Sequence, residues 1–190
     1  MLLHQKVLFN KQETQKIISY ANKLEDRVIG TYHPNINDGQ HDPDGGHNLA
    51  DHIAWHSSAE YNWVSDRIIE WLKSLNLKYQ IHNLGYEFIV QKYLKGYEFK
   101  PHIDHVLSVD KKTILRERLY TILIQLANEN DYSGGGLFVD NNGTNQINKT
   151  PGNACIFGPA QLHWVEKIIE GERWSCTIFL EKDALIKSLI

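Results

Sequence analysis

The chain has 190 residues, 42% hydrophobic and 23% charged, with a formal net charge of −3. That balance predicts one compact domain with a real core and excludes long disordered or fibrous classes. It also argues against a basic face that would grip a phosphate backbone, so a nucleic-acid partner is not expected.

The start, MLLHQKVLFNKQETQK, lacks the apolar core of a signal peptide, and no stretch approaches the roughly 18 apolar residues of a membrane span. Two cysteines, Cys155 and Cys176, make no disulfide framework and read as buried thiols. The expected setting is cytoplasmic, with no membrane partner. The sequence leaves the oligomeric state open.

Residues 11–25 read as a helix. Asn10 is a fitting N-cap with Glu13 three residues on, and Ile17, Ile18, Ala21 and Leu24 form an apolar stripe. Residues 57–75 read as a second helix, capped by Ser57 or Ser58, with Tyr61, Val64, Ile68, Trp71, Leu72 and Leu75 at three- and four-residue spacing. Between them, residues 31–52 are rich in Gly, Asp, Asn, His and Pro and read as a long loop. Asp38, His41, Asp42, Asp44 and His47 there have loose cation-loop character without the glutamate spacing of an EF-hand, and solvated loop is the better reading. His52 and His56 could share a helix face.

From residue 79 the pattern changes to short β-branched and aromatic segments: YQIHNL, EFIVQKYL, KPHIDHV, ERLYTILIQLA, GGLFVD, NQINKT, NACIFG, HWVEKII and RWSCTIFLE. Gly, Pro, Asn and Asp separate them, which predicts an all-β sandwich or barrel behind two N-terminal helices. The organisation expected is one domain over 1–190, with helical support and loop at 1–78 and a β core at 79–182.

His102-Ile103-Asp104 is the chain's one HxD. On a strand, residues i and i+2 project from one face about 6–7 Å apart, so the pair can converge on one metal ion. His163, 59 residues after Asp104, would complete a two-His-one-carboxylate set. Arg173 lies ten residues further, past a turn signal at Glu170-Gly171. The expectation is that His163 and Arg173 occupy neighbouring antiparallel strands, brought to one face by an odd loop or a bulge. Arg173 offers a planar fork for a carboxylate, with Ser175 and Thr177 on its face. Tyr93 and Thr121 could add hydroxyl donors to that carboxylate.

These residues in this order resemble the Fe(II)- and 2-oxoglutarate-dependent oxygenases, and most of all their prolyl 4-hydroxylase-like branch. The likeness lies in YLKGYEFKPHID (93–104), RLYTILIQLA (118–127), SGGGLFV (133–139), PGNACIF (151–157) and HWVEKIIEGERWSCTIF (163–179). It implies a double-stranded β-helix (jelly roll), mainly β in an α+β setting, buttressed by helices. It implies His102, Asp104 and His163 as iron ligands, and Arg173 with Tyr93, Thr121 and Ser175 around 2-oxoglutarate. Arg118, Phe99 and Phe179 would face substrate. Fe(II), 2-oxoglutarate and O2 are the implied cofactors, with ascorbate as an accessory. The implied reaction is hydroxylation of a peptidyl residue, proline first. Hydroxylation of a free amino acid or other small molecule is the alternative, and a non-enzymatic metal-binding jelly roll the remaining one. The 31–52 loop would be a lid over the peptide. Three positions depart from the collagen-type pattern: Arg173 stands where Lys is usual, Phe99 where Tyr is frequent, and Phe179 where Trp is frequent. The nucleic-acid demethylase branch carries a second Arg where this chain has Phe179.

Overall fold

Asn10 starts the first helix as its chemistry requires. Its Oδ1 accepts from the Glu13 amide at 3.0 Å, and its own amide donates to Glu13 Oε2 at 2.8 Å, closing a capping box. The helix runs over Lys11–Ala21 (α1) and buries Thr14, Ile17, Ile18 and Ala21. The second helix covers Asn62–Lys73 (α2) and buries Val64, Ile68, Trp71 and Leu72. Its N-cap is Tyr61, without a side-chain cap; Ser57 and Ser58 lie outside the described residues. Arg67 of α2 joins the two helices, donating to Glu13 Oε1 at 2.7 Å and to the Leu8 carbonyl at 3.2 Å.

The computed structural model describes residues 3–24, 27–31, 49–56, 61–78, 87–104 and 118–181, with the backbone alone for 27–31, 49–56 and 87. Its strands are Leu3–Val7 (β1), Arg27–Thr31 (β2), Leu49–His56 (β3), Glu87–Tyr93 (β4), Phe99–His102 (β5), Arg118–Gln125 (β6), Tyr132–Gly134 (β7), Leu137–Asp140 (β8), Thr144–Gln146 (β9), Asn153–Phe157 (β10), His163–Val165 (β11), Ile168–Gly171 (β12) and Arg173–Glu181 (β13). Seven of them form a major sheet in the order β1-β10-β6-β13-β4-β3-β2, four a minor sheet β5-β11-β8-β9, and two a short ribbon β12-β7. Every pairing is antiparallel. This is the expected jelly roll. β10 is buried at all five positions and β13 at seven of nine, the mark of strands covered on both faces.

The N-terminal part departs from the expectation of helices and loop alone. β1 adds to one edge of the major sheet, with Leu3 opposite Phe157, and β2 and β3 extend the other. β1 shows almost no buried face, so it carries no alternation to read. His52 and His56 sit on strand β3, not on a helix, and residues 49–52 of the expected loop are sheet. Residues 32–48, and the segment YQIHNL at 79–84, lie outside the described residues.

β5 is an edge of the minor sheet, which accommodates Pro101 because an edge strand has amides that need no partner. Gly134 (φ +75°) and Gly135 (φ +59°) let β7 press against β12. A Cβ on Gly134 would stand 2.2 Å from the Lys167 carbonyl oxygen, and one on Gly135 would stand 2.3 Å from Ile168 Cδ1. Cys155 and Cys176 are free and buried. Burial pushes the Cys155 thiol up to about 12 and raises that of Cys176 as well. Among the described residues no helix is long and apolar enough to cross a membrane.

Candidate active site

The three side chains that could hold a metal ion meet where two strands of the minor sheet pair. His102 ends β5 and His163 opens β11, and the two are direct cross-strand partners with ring centroids 4.1 Å apart. Asp104 follows two residues beyond His102, its amide donating to the Pro159 carbonyl at 2.8 Å. Its Oδ1 lies 3.8 Å from His102 Nε2 and its Oδ2 3.4 Å from His163 Nε2. All three ligand atoms fall within 4.8 Å of one another.

Both imidazoles are oriented in the same way. Nδ1 of His102 lies 2.8 Å from the Lys100 carbonyl oxygen, and Nδ1 of His163 lies 3.0 Å from that of Gln161. A carbonyl only accepts, so each Nδ1 carries the proton and each Nε2 turns a lone pair toward the carboxylate. Burial lowers the pKa of His102 to about 4, helped by the neighbouring His163 and opposed by the Lys100 carbonyl and Asp104. The ring is therefore neutral, as a ligand must be, well below its ordinary range. Two neutral imidazoles and one carboxylate are a donor set that suits a first-row divalent ion such as Fe(II) and leaves coordination positions open.

Asp104 is braced from the major sheet. Thr121 of β6 donates its hydroxyl to Asp104 Oδ2 at 2.7 Å, and Arg118 donates to the Asp104 carbonyl at 3.1 Å. The Arg118 guanidinium also lies 3.6 Å from the ring centroid of Phe179. Phe99 is buried with its ring 4.3 Å from that of His102.

Arg173 opens β13 opposite Tyr93 of β4. It is 2% exposed, one of the largest fully buried side chains. Its NH1 donates to Ser175 Oγ at 3.1 Å, and its guanidinium carbon lies 5.0 Å from the Tyr93 ring centroid. Nε has no hydrogen-bond partner. Among the described residues no carboxylate pairs with this buried cation. Burial pushes the Tyr93 hydroxyl up to about 12, against the pull of Arg173, so it stays a neutral donor. Tyr132 is likewise raised by burial and held back by Arg173.

His163 and Arg173 do not occupy neighbouring strands. β12 departs after β11 to pair with β7, and the chain then crosses into the major sheet. The two residues meet across the sandwich, both lining a cavity of about 170 Å³. Thr121 also differs from expectation. It pairs with Phe179, six residues or about 20 Å of strand from Arg173, which puts its hydroxyl on Asp104 and not beside the guanidinium. Tyr93 and Ser175 do gather at Arg173, and Thr177 lines the same cavity four residues along β13. The acidic and histidine residues between 38 and 47 lie outside the described residues.

Sequence reasoning missed Gln91, Gln125 and Tyr132. Gln91 shares the face of Tyr93 by strand parity and pairs with Ser175, a signal that was available. Gln125 donates to the Tyr132 hydroxyl at 3.0 Å, but Tyr132 sits in a three-residue strand with no readable pattern.

A family model of the 2OG-Fe(II) oxygenase superfamily matches residues 88–181, the span from β4 to β13 that holds every residue of this site. A PKHD-type hydroxylase of Synechococcus sp. (strain CC9605) is 26% identical over 112 residues, 58% of this chain and 46% of that protein. The chain thus spans less than half the length of the curated relatives it matches here. Among solved structures, the viral collagen prolyl hydroxylase of Paramecium bursaria Chlorella virus-1, in its 2OG complex, superposes with TM-score 0.67 at 18% identity over 96% of this chain and 97% of that one. A Trichoplax adhaerens prolyl hydroxylase, in complex with a hypoxia inducible factor oxygen degradation domain peptide fragment, gives TM-score 0.66 at 15% identity over 98% and 86%. Through residues 88–181 the chain belongs to the 2OG-Fe(II) oxygenase superfamily and shares the fold of its prolyl hydroxylases.

Proposed function

We propose that this chain is an Fe(II)- and 2-oxoglutarate-dependent dioxygenase that hydroxylates a peptidyl residue, with proline the first candidate. The observation that carries the reading is the buried Arg173 guanidinium, with no carboxylate partner among the described residues, placed in the same cavity as a His-Asp-His cluster. A buried cation without a counter-ion is costly, and an anionic ligand relieves it. A structural metal site needs no such anchor, which is why the enzymatic reading is preferred to a metal-binding scaffold.

His102, Asp104 and His163 would hold Fe(II), and Arg173 with the Tyr93 hydroxyl would hold the far carboxylate of 2-oxoglutarate. When bound, these cofactors and O2 supply oxidative decarboxylation to succinate and CO2 and insertion of one oxygen atom into a substrate C–H. The protein's part is orientation. Carbonyls fix both imidazole tautomers, Thr121 and Arg118 fix Asp104, and the two sheets exclude water around Arg173. The Arg118–Phe179 stack, also lining the cavity, is the surface we assign to substrate. The peptide bound to the Trichoplax relative supports a peptide substrate.

The test is anaerobic addition of Fe(II) and 2-oxoglutarate, read as the weak visible charge-transfer band of the chelate, with Arg173→Ala as control. A band that weakens in the variant supports the reading. Succinate release is then measured with ascorbate present, on proline-containing peptides against free proline. A folded, metal-loaded protein that gives no band overturns the assignment.

A further inference from the structure

Gln91 is 8% exposed and lies on the cavity wall. Its Oε1 accepts from the Thr177 hydroxyl at 2.8 Å and faces Ser175 Oγ at 3.5 Å. Ser175 Oγ in turn receives the Arg173 NH1 hydrogen, which leaves the serine proton directed at Gln91. In this arrangement Oε1 takes both hydroxyl contacts and Nε2 is the end left over. Nε2 makes no hydrogen bond among the described residues, yet it is not sealed off in the way Arg173 Nε is. A nine-tenths buried amide on the cavity wall thus keeps two N–H groups without a partner among the described residues, two residues along the paired strands from Arg173 and Tyr93.

We propose that Gln91 is a specificity-determining residue that donates from Nε2 to the distal carboxylate of the 2-oxo acid held by Arg173. The inference rests on the reading of this cavity as the 2-oxoglutarate site. Arg173 supplies the charge and Gln91 a second, angled donor, so a 2-oxo acid ending in a carboxylate is preferred over one ending in a methyl group. Thr177 and Ser175 serve by engaging Oε1, which keeps the acceptor end of the amide on the sheet and the donor end for an anion.

The experiment measures 2-oxoglutarate binding by calorimetry on the full chain with Zn(II) in place of Fe(II), so that no turnover is needed. Wild type, Gln91→Met, Gln91→Asn, Gln91→Glu and Arg173→Met are compared, each first checked for a cooperative melt. Gln91→Met and Gln91→Asn are expected to weaken 2-oxoglutarate about tenfold or more, through loss or withdrawal of a charge-assisted donor. Gln91→Glu is expected to weaken it further, because its carboxylate pairs with Arg173 and repels the diacid. Weak binding of 2-oxobutyrate, which lacks the distal carboxylate, should be unchanged by Gln91→Met; a merely structural role would lower both ligands together. Equal loss of both ligands overturns the proposal. So does a folded Gln91→Met or Gln91→Asn protein that holds 2-oxoglutarate within twofold of wild type while Arg173→Met loses it, and in that case the cosubstrate site stands. Wild type that binds no 2-oxoglutarate overturns the site and the proposal together.

Discussion

The hydroxyl of Thr121 and the carboxylate of Asp104 meet at 2.7 Å although one belongs to the major sheet and the other follows an edge strand of the minor sheet. This bond ties the two layers of the sandwich at the His-Asp-His cluster. It leaves Asp104 Oδ1 as the oxygen without a hydroxyl donor. Thr121→Val keeps shape and burial but deletes the donor. Metal affinity is expected to fall 10- to 100-fold, measured by competition with a chromophoric chelator, and Thr121→Ser should restore most of it.

Arg173 illustrates a conflict between stability and binding. Its charge is buried, lacks an acidic partner among the described residues, and keeps an unpaired Nε. Arg173→Met removes that cost while roughly conserving side-chain length. The ligand-free protein should be unchanged or more stable by about 1 kcal/mol or more in urea unfolding. The same variant should lose the upward shift in melting temperature that saturating 2-oxoglutarate gives the wild type.

The sign of the pH dependence follows from His102. Its folded pKa of about 4 lies below the ordinary 6.5 of the unfolded chain. Between these values the unfolded chain binds the proton and the folded one does not, so stability is full above about 6.5 and is lost as pH falls toward 4. The slope contributed by this one site is about 1.4 kcal/mol per pH unit. Urea unfolding of metal-free protein across this window should show it, and His102→Gln should flatten the curve.

Gly134 carries a different kind of constraint. A side chain there meets the Lys167 backbone oxygen at 2.2 Å in a left-handed conformation with φ +75°. Gly134→Ala should cost at least about 2 kcal/mol, read as a lower urea midpoint, because a backbone atom cannot step aside as a flexible side chain can. Gly135→Ala presses instead on Ile168, with the Arg173 Cδ at 3.2 Å. It should raise the 2-oxoglutarate KM through that contact.

The features legible in the sequence are those with a local code. Asn10 and Glu13 announced their helix because a capping box is complete within four residues. The buried strands β6, β10 and β13 announced themselves as apolar β-branched runs, and His102, Asp104, His163 and Arg173 as a spaced set. What depends on topology was not legible. Whether His163 and Arg173 share a sheet is decided by β12 leaving to pair with β7, and nothing at residues 166–172 encodes its partner. β1 went unread because an exposed edge strand has no buried face to impose a period. Thr121 was read as a cosubstrate contact because its type was visible but its neighbour, Asp104 across the sandwich, was not.

The carbonyls of Lys100 and Gln161, each two residues before the histidine it orients, are main-chain atoms. Genetic change can replace every side chain at those two positions without removing either acceptor. The tautomer that turns Nε2 toward Asp104 is thus insulated from drift at the very positions that set it, and only a change in backbone path, such as loss of the proline between Lys100 and His102, can retune it. For a designer, this makes the exposed position 100 the place to alter the surroundings of the site while its chemistry is held constant, whereas Gln161 is buried and its side chain holds the Gly158 amide and the Asp140 carbonyl.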